Sequence, residues 1–380
     1  MKLFADILLA AAFALISLWP VSKIGKNEIS LNEKRKLNEY KPLFSEHGLN
    51  YTYGRDFDLY LNDHFLGRNS LIQTKNYLFS LINRRFENDF IIAGKERFYF
   101  QRKNIQEIIS WDGKDFSALE RNLSRLKSFC DANKIDLYCC VVPFKELVYA
   151  EKLNGISFSR GKAEKMNEKL EEKSAFLYYA YGPLCEAKES ALTFYKLDHH
   201  WTPYGAFQAY SQLLAKIGKR HSDIKEIGNE TYSTSESVQK RLVGSAVSML
   251  NLPSNFYRFA FPNDSYVKYN FKKEAREAVL KKVLERRNGC AEYNIGKVVN
   301  SKAPGKKLFL FGDSQTFNIM TFFFYSFGET FYCVKPLQMY MPIIENFMLE
   351  EKPDIAVAII SEANVGKISG WYNIANKPKR

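Results

Sequence analysis

Three short stretches of this 380-residue chain limit its architecture more than anything else in it. Ile135–Val142 (IDLYCCVV), Leu308–Phe311 (LFLF) and Ile355–Ile360 (IAVAII) are apolar almost throughout. A strand with one wet face alternates polar and apolar residues. A run of strand length that is apolar on both sides suits a strand covered on both faces, as in a parallel sheet. Helical patterns separate these runs: Ser117–Ala132, a charged Gly161–Glu172, Thr202–Ile217, a basic Lys272–Arg287 and a very apolar Phe317–Phe327. Strands alternating with helices indicate an α/β fold with a mainly parallel sheet. Such sheets form their sites at the C-terminal ends of strands.

The N-terminal part reads differently. Leu3–Val21 is apolar except for Asp6 and Ser17, long enough to just span a bilayer core, and lacks a small-x-small cleavage site. The expectation is one uncleaved transmembrane anchor over residues 1–22, a polar tether over 23–54 and a single catalytic domain over 55–380. Within that domain a long helical pattern runs from Arg55 to Arg84. A hairpin is expected around Gly94-Lys95, and Asn229–Asn263 reads as loops, some lining a cleft.

A net charge of +13 attracts polyanions or only aids solubility. No nucleic-acid motif is present and the N-terminus argues for export, which leaves a membrane surface or an acidic glycan as the anionic partner. The six cysteines show no CxxC pair and no metal-ligand spacing. An exported chain permits disulfides, but the sequence assigns no pairing; no metal or cofactor is expected.

Chemistry concentrates in Tyr195–Ala209, YKLDHHWTPYGAFQA, which holds two of the five histidines. Thr202-Pro203 marks a helix start, with Thr as N-cap and Pro at the first helical position. The partner stretch is Gly312-Asp313-Ser314, which follows one apolar run and precedes a helix. A serine hydroxyl needs a base, and a carboxylate fixes the useful tautomer of a histidine base. If 198–200 is extended, Asp198 and His200 share a face and His199 points away. Ser314 is then the candidate nucleophile, His200 the base and Asp198 its orienter. Asp63-His64 is a second Asp-His pair, read as a polar patch on a helix. Asp198, His199 and His200 as metal ligands lack the further His and Asp clusters that such a site needs.

The D-x-H-W-T-P-x-G-A pattern followed far downstream by G-D-S resembles the SGNH-hydrolase-like polysaccharide O-acetyltransferases of the alginate type, also called DHHW proteins. Asn32–Leu43 (NEKRKLNEYKPL), Leu59–Ile72 (LYLNDHFLGRNSLI), Ile91–Phe100 (IIAGKERFYF), Val141–Tyr149 (VVPFKELVY) and Gly244–Pro253 (GSAVSMLNLP) extend the likeness. The resemblance implies an SGNH-like α/β/α sandwich with the Asp-x-His block ahead of the serine. It also implies acetyl transfer to a surface or exported polysaccharide outside the cytoplasmic membrane, with a multispanning membrane acyltransferase supplying acetyl. Two positions depart from the family pattern and bear on substrate contacts and oxyanion donors. Gly244-Ser245-Ala246 stands for Gly-Asp-Leu, and Ser361-Glu362-Ala363 stands where Glu-Arg is frequent. A carbohydrate esterase with the same triad and a non-catalytic glycan-binding export protein are the alternatives.

Overall fold

A computed structural model describes residues 29–30, 35–46, 48–65, 67–83, 86–110, 116–158, 176–238, 248–252, 265–283, 294–335 and 339–373. The expected anchor Leu3–Val21, the helix Gly161–Glu172 and the Gly244-Ser245-Ala246 turn lie outside these residues. Among the described residues no helix is long and apolar enough to cross a membrane.

The chain divides into two compact units, Met1–Ala93 with Ser245–Pro262, and Gly94–Gly244 with Asn263–Arg380. In the first unit the single helix expected over Arg55–Arg84 is two helices, Tyr53–His64 and Arg68–Asn83. The break has a local cause: Phe65 is extended and Gly67 sits at a φ of +84°, a region costly for any side chain. Asn76 Nδ2 donates to the Leu250 carbonyl at 2.8 Å and Asn88 Nδ2 to that of Met249 at 2.9 Å. These side-chain amides tie the 248–252 segment to this unit.

The second unit is built on a seven-stranded sheet. In chain order its strands are β1 (Asp136–Val142), β2 (Leu177–Tyr179), β3 (Val279–Val283), β4 (Asn294–Asn300), β5 (Lys307–Gly312), β6 (Glu329–Val334) and β7 (Ile355–Ser361). Their spatial order is β3-β4-β6-β5-β7-β1-β2. β6, β5, β7, β1 and β2 run parallel, and β4 and β3 add an antiparallel edge. The three apolar runs are thus β5, β7 and β1, the middle three of the five parallel strands.

Five helices bear on the site: α1 (Phe116–Ala132), α2 (Lys145–Val148), α3 (Pro203–Gly218), α4 (Thr316–Ser326) and α5 (Met341–Glu351). On one face Leu123 and Leu126 of α1 and Ile344, Phe347 and Met348 of α5 join Leu137, Cys139, Val141, Phe309, Phe311, Ala356 and Ala358 in one buried cluster. On the other face α3 and α4 pack together, with the Tyr210 ring 5.5 Å from Phe322 and 5.2 Å from Phe323. The result is a mainly parallel sheet between two helical layers, as the apolar strands require.

Two sequence expectations are corrected. Among the described residues the basic stretch Lys272–Arg287 gives a short helix, Lys273–Glu277, and then β3. Pairing of β3 with β4 overrides the helical propensity of its lysines. Part of Asn229–Asn263 is not loop: Tyr232–Val238 pairs antiparallel with Ser265–Phe271 over seven residues. Its side chains are mostly exposed, so no hydrophobic pattern announced it.

Candidate active site

Ser314 sits just past the C-terminal end of β5, two residues before α4 begins. Gly312 makes this turn possible. Its φ is +157°, and a Cβ there would lie 2.0 Å from the Ile359 carbonyl oxygen on the adjacent strand β7. Only glycine lets the chain leave the strand so close to its neighbour. Asp313, almost fully buried, holds the turn from below. One of its carboxylate oxygens accepts from the Gln315 N–H at 3.0 Å. The other accepts from the Ser361 N–H at 2.7 Å, the Ser361 hydroxyl at 2.6 Å and Asn364 Nδ2 at 2.7 Å. Ser361, one of the positions departing from the family pattern, therefore anchors the serine turn.

The second stretch is a loop, not a strand. The Phe194–Trp201 bridge closes it, and the Thr202 N–H donates to the Thr193 carbonyl at 2.8 Å. Thr202 caps α3 as expected, its hydroxyl accepting from the Gly205 N–H at 3.1 Å. A Cβ on Gly205 would meet the Thr193 carbonyl oxygen at 2.2 Å, so glycine allows helix and loop to touch.

The extended-chain argument for pairing Asp198 with His200 therefore does not apply. An Asx turn does the pairing instead: Asp198 Oδ1 accepts from the His200 N–H at 3.1 Å and lies 2.8 Å from His200 Nδ1. On the far side of the ring, His200 Nε2 is 2.9 Å from Ser314 Oγ. Asp198, His200 and Ser314 thus form a continuous hydrogen-bonded line, with both imidazole nitrogens engaged. His199 does not point away. Its ring packs against His200, tilted by 36° with centroids 4.0 Å apart, and its Nδ1 lies 3.4 Å from Asp198 Oδ1 and 3.2 Å from Gln101 Nε2. Donor atoms of Asp198, His199 and His200 lie within 4.8 Å of one another. A cation among them would have to displace the bonds His200 already makes.

Gln315 and Asn318, which the sequence did not single out, join the distant stretches through Trp201. The fully buried Trp201 donates its indole N–H to the Gln315 carbonyl at 2.9 Å. Gln315 returns its side-chain amide to the His199 carbonyl at 3.3 Å, and Asn318 Nδ2 donates to the Trp201 carbonyl at 2.7 Å. The available signal was a polar Gln directly after the serine, where a helix begins.

The first-turn geometry also offers a donor. Among the described residues the Ser314 N–H meets no acceptor. Around the site, burial, with Tyr266 and Asp198 close by, pushes the Tyr195 phenol up, so it stays a neutral donor. Glu362, just after β7, accepts from the Phe144 N–H at 3.0 Å and the Tyr179 hydroxyl at 2.8 Å. Burial pushes its carboxyl up to about 7 against these two donors. The Asp63-His64 pair belongs to the first unit. Asp63 there accepts from Asn38, and His64 Nδ1 contacts the Tyr60 carbonyl at 2.9 Å.

A serine at the end of a central parallel strand, faced by an imidazole carried on a separate loop within an α/β/α core, is a hydrolase-like site, and an SGNH hydrolase-like fold accommodates it. The family described as SGNH hydrolase-like domain, acetyltransferase AlgX, matches residues 91–288, just over half of the chain, and the chain belongs to that family. The matched span includes Asp198 and His200 and ends before Ser314. Among solved structures, PatB1 of Bacillus cereus with a sulfonyl adduct superposes with a TM-score of 0.56 at 17% identity, covering 76% of this chain and 99% of that one. A second structure of PatB1 gives 0.51 at 17% identity, covering 73% and 97%. The O-acetyltransferase domain of Pseudomonas putida AlgJ gives 0.49 at 14% identity, covering 74% and 98%, too loose a likeness to argue from. At these identities the likeness to PatB1 establishes the fold alone. No curated protein sequence matches the chain.

Proposed function

We propose that this protein is a membrane-anchored, extracytoplasmic O-acetyltransferase that moves an acetyl group through a Ser314 acyl-enzyme to a hydroxyl of a cell-surface or exported polysaccharide. One observation carries the reading: Ser314 Oγ stands 2.9 Å from His200 Nε2 while Asp198 holds the opposite nitrogen at 2.8 Å. His200 takes the serine proton as Oγ attacks the donor's acetyl carbonyl, and returns it to the departing group. The Ser314 N–H, at the entry to α4, faces the developing oxyanion. His200 then takes the proton of a sugar hydroxyl, whose oxygen attacks the acyl carbon, and protonates Ser314 as it leaves. A well-oriented acceptor reaches an effective molarity of about 10⁵–10⁸ M and so outruns water. A multispanning membrane acyltransferase is the proposed acetyl source, and Leu3–Val21 the anchor that keeps both on one membrane. The net charge of +13 favours an acidic acceptor.

The test compares acetyl release from 4-nitrophenyl acetate with acetyl gained by a de-acetylated glycan, for the wild type and Ser314→Ala. The wild type is expected to acetylate the glycan, and Ser314→Ala to lose both reactions. Release to water that no glycan diverts would make the protein an esterase. Unaltered acetylation in Ser314→Ala would end the acyl-enzyme reading.

A further inference from the structure

The motif VVPFKELVY contains a lysine and a glutamate that the mechanism above does not use. Both are buried, Lys145 at 2% and Glu146 at 1% exposure, on the single turn of α2 just after β1. Lys145 Nζ lies 2.7 Å from the Tyr99 carbonyl, 3.0 Å from Tyr195, 2.8 Å from Lys196 and 3.0 Å from Asp198. Three of these four carbonyls belong to the four-residue run 195–198, the loop that delivers Asp198 and His200.

A loop in this position faces a physical difficulty. The Lys196 carbonyl also accepts from the Tyr99 N–H at 2.9 Å, but the loop is otherwise irregular, and buried carbonyls need donors. Neutral donors would have to come from several directions. A single ammonium is compact, carries three hydrogens and a full charge, and so suits several oxygens converging on one point. The Phe98 and Phe100 rings, with centroids 5.7 Å and 5.1 Å from Nζ, also face it. Glu146 adds a second brace. Its carboxylate accepts from the Gln101 N–H at 2.9 Å and from Asn104 Nδ2 at 3.2 Å, and the Gln101 side chain reaches His199 Nδ1 at 3.2 Å.

We infer that Lys145 is the positioning residue of the catalytic loop: its ammonium gathers the loop's carbonyls so that Asp198 is held by its backbone while its carboxylate holds His200. Lys145 touches no reacting atom. It acts through Asp198, whose carbonyl and carboxylate are engaged on two sides at once. A shift of the loop by half an ångström would weaken both the Asp198–His200 bond and the His200–Ser314 bond, because one short turn carries both. This inference rests on the proposed role of the triad.

The experiment measures kcat, KM and the pH profile of kcat/KM for 4-nitrophenyl acetate on the full chain, comparing the wild type with Lys145→Met, Lys145→Gln and Lys145→Arg. A Leu214→Ala variant, truncated in the core of α3, controls for loss of stability alone. The expected result is a kcat about 10–100-fold lower in each Lys145 variant that folds, with KM changed much less. The acid limb of kcat/KM is expected to move to lower pH, because an imidazole that loses its carboxylate binds its proton less tightly. Arg is expected not to rescue, since a planar fork does not converge on one point. Leu214→Ala is expected to lose stability while keeping the wild-type limb. A folded Lys145 variant with wild-type kcat and acid limb overturns the inference. So does failure of all three to fold, which makes the lysine a residue of the core and not of the alignment. A wild type without any acetyl-ester activity sinks the triad reading itself, and is told apart by Ser314→Ala being no worse than its parent.

Discussion

Asp63-His64 and Asp198-x-His200 both put an aspartate just ahead of a histidine in sequence, and they behave in opposite ways. Asp63 and His64 are consecutive on the helix Tyr53–His64, so their side chains leave the axis about 100° apart. Each turns to its own partner, Asp63 to Asn38 and Arg68, His64 to the Tyr60 carbonyl one turn back. Asp198 and His200 are two apart on an irregular loop. There an Asx turn folds the carboxylate back over the following residues and onto the ring. Acid and imidazole side by side in sequence are therefore not a catalytic pair. The pair needs a turn that aims one at the other, and a third group at the ring's far nitrogen, which Ser314 provides in one case only.

The sharpest way to break this comparison is to remove the groups on each side of it. Ser314→Ala and His200→Ala are expected to lower kcat for acetyl-ester turnover by roughly 10⁴-fold or more. Asp198→Asn is expected to cost about 10⁴-fold, since the amide favours the wrong tautomer. Asp63→Asn and His64→Gln should leave kcat unchanged while lowering the melting temperature. A large rate loss in the Asp63 variant would mean that the two pairs are not so different. His199→Ala sharpens the distinction within the loop. Its loss should stay below about 10²-fold, since a tilted ring contact with His200 and a long contact to Asp198 do not make it the base.

Smaller effects probe what holds the loop. Trp201→Phe removes the indole N–H that serves the Gln315 carbonyl, leaving a buried acceptor unpaired. A stability loss of about 1–3 kcal/mol by denaturant titration is expected, together with a fall in kcat as the two stretches separate. Glu362→Gln tests the buried carboxyl beside the serine turn. With a folded-state value of about 7 against an ordinary 4.5, Glu362 binds more protons in the folded than in the unfolded chain between these limits. Stability is then greatest at low pH and falls as pH rises from about 4.5 to about 7, by up to about 3 kcal/mol. Glu362→Gln should flatten that fall when melting temperature is followed from pH 5 to 7.5. An unchanged slope would place the titrating group elsewhere. Thr202→Ala, which removes the N-cap of α3, should cost about 1 kcal/mol by thermal melting.

Much of the architecture was legible from one-dimensional patterns, and the failures share a cause. β1, β5 and β7 announced themselves because strands covered on both faces must be apolar throughout. The start of α3 was written in Thr202-Pro203, a local signal that needs no distant partner. β3 and the ribbon of Tyr232–Val238 with Ser265–Phe271 were missed. Their residues carry no strong pattern, and only pairing with another strand makes them strands. At the site, residue types and spacing pointed to Ser314, His200 and Asp198, but the reason given for the pairing was wrong. Alternation along an extended chain was the premise, and an Asx turn is what the loop uses.

The amino-acid order alone settled which side chains were available for chemistry and which stretches had to be buried, because burial is dictated by local composition and helix ends by local caps. It could not reveal that Trp201, Gln315 and Asn318 lace the loop to the serine turn, or that Lys145 sits beneath four carbonyls. Those contacts join residues some 40 to 120 positions apart. No local propensity records them, and they come into being only when β1, β5 and β7 lie side by side and bring their C-terminal ends together.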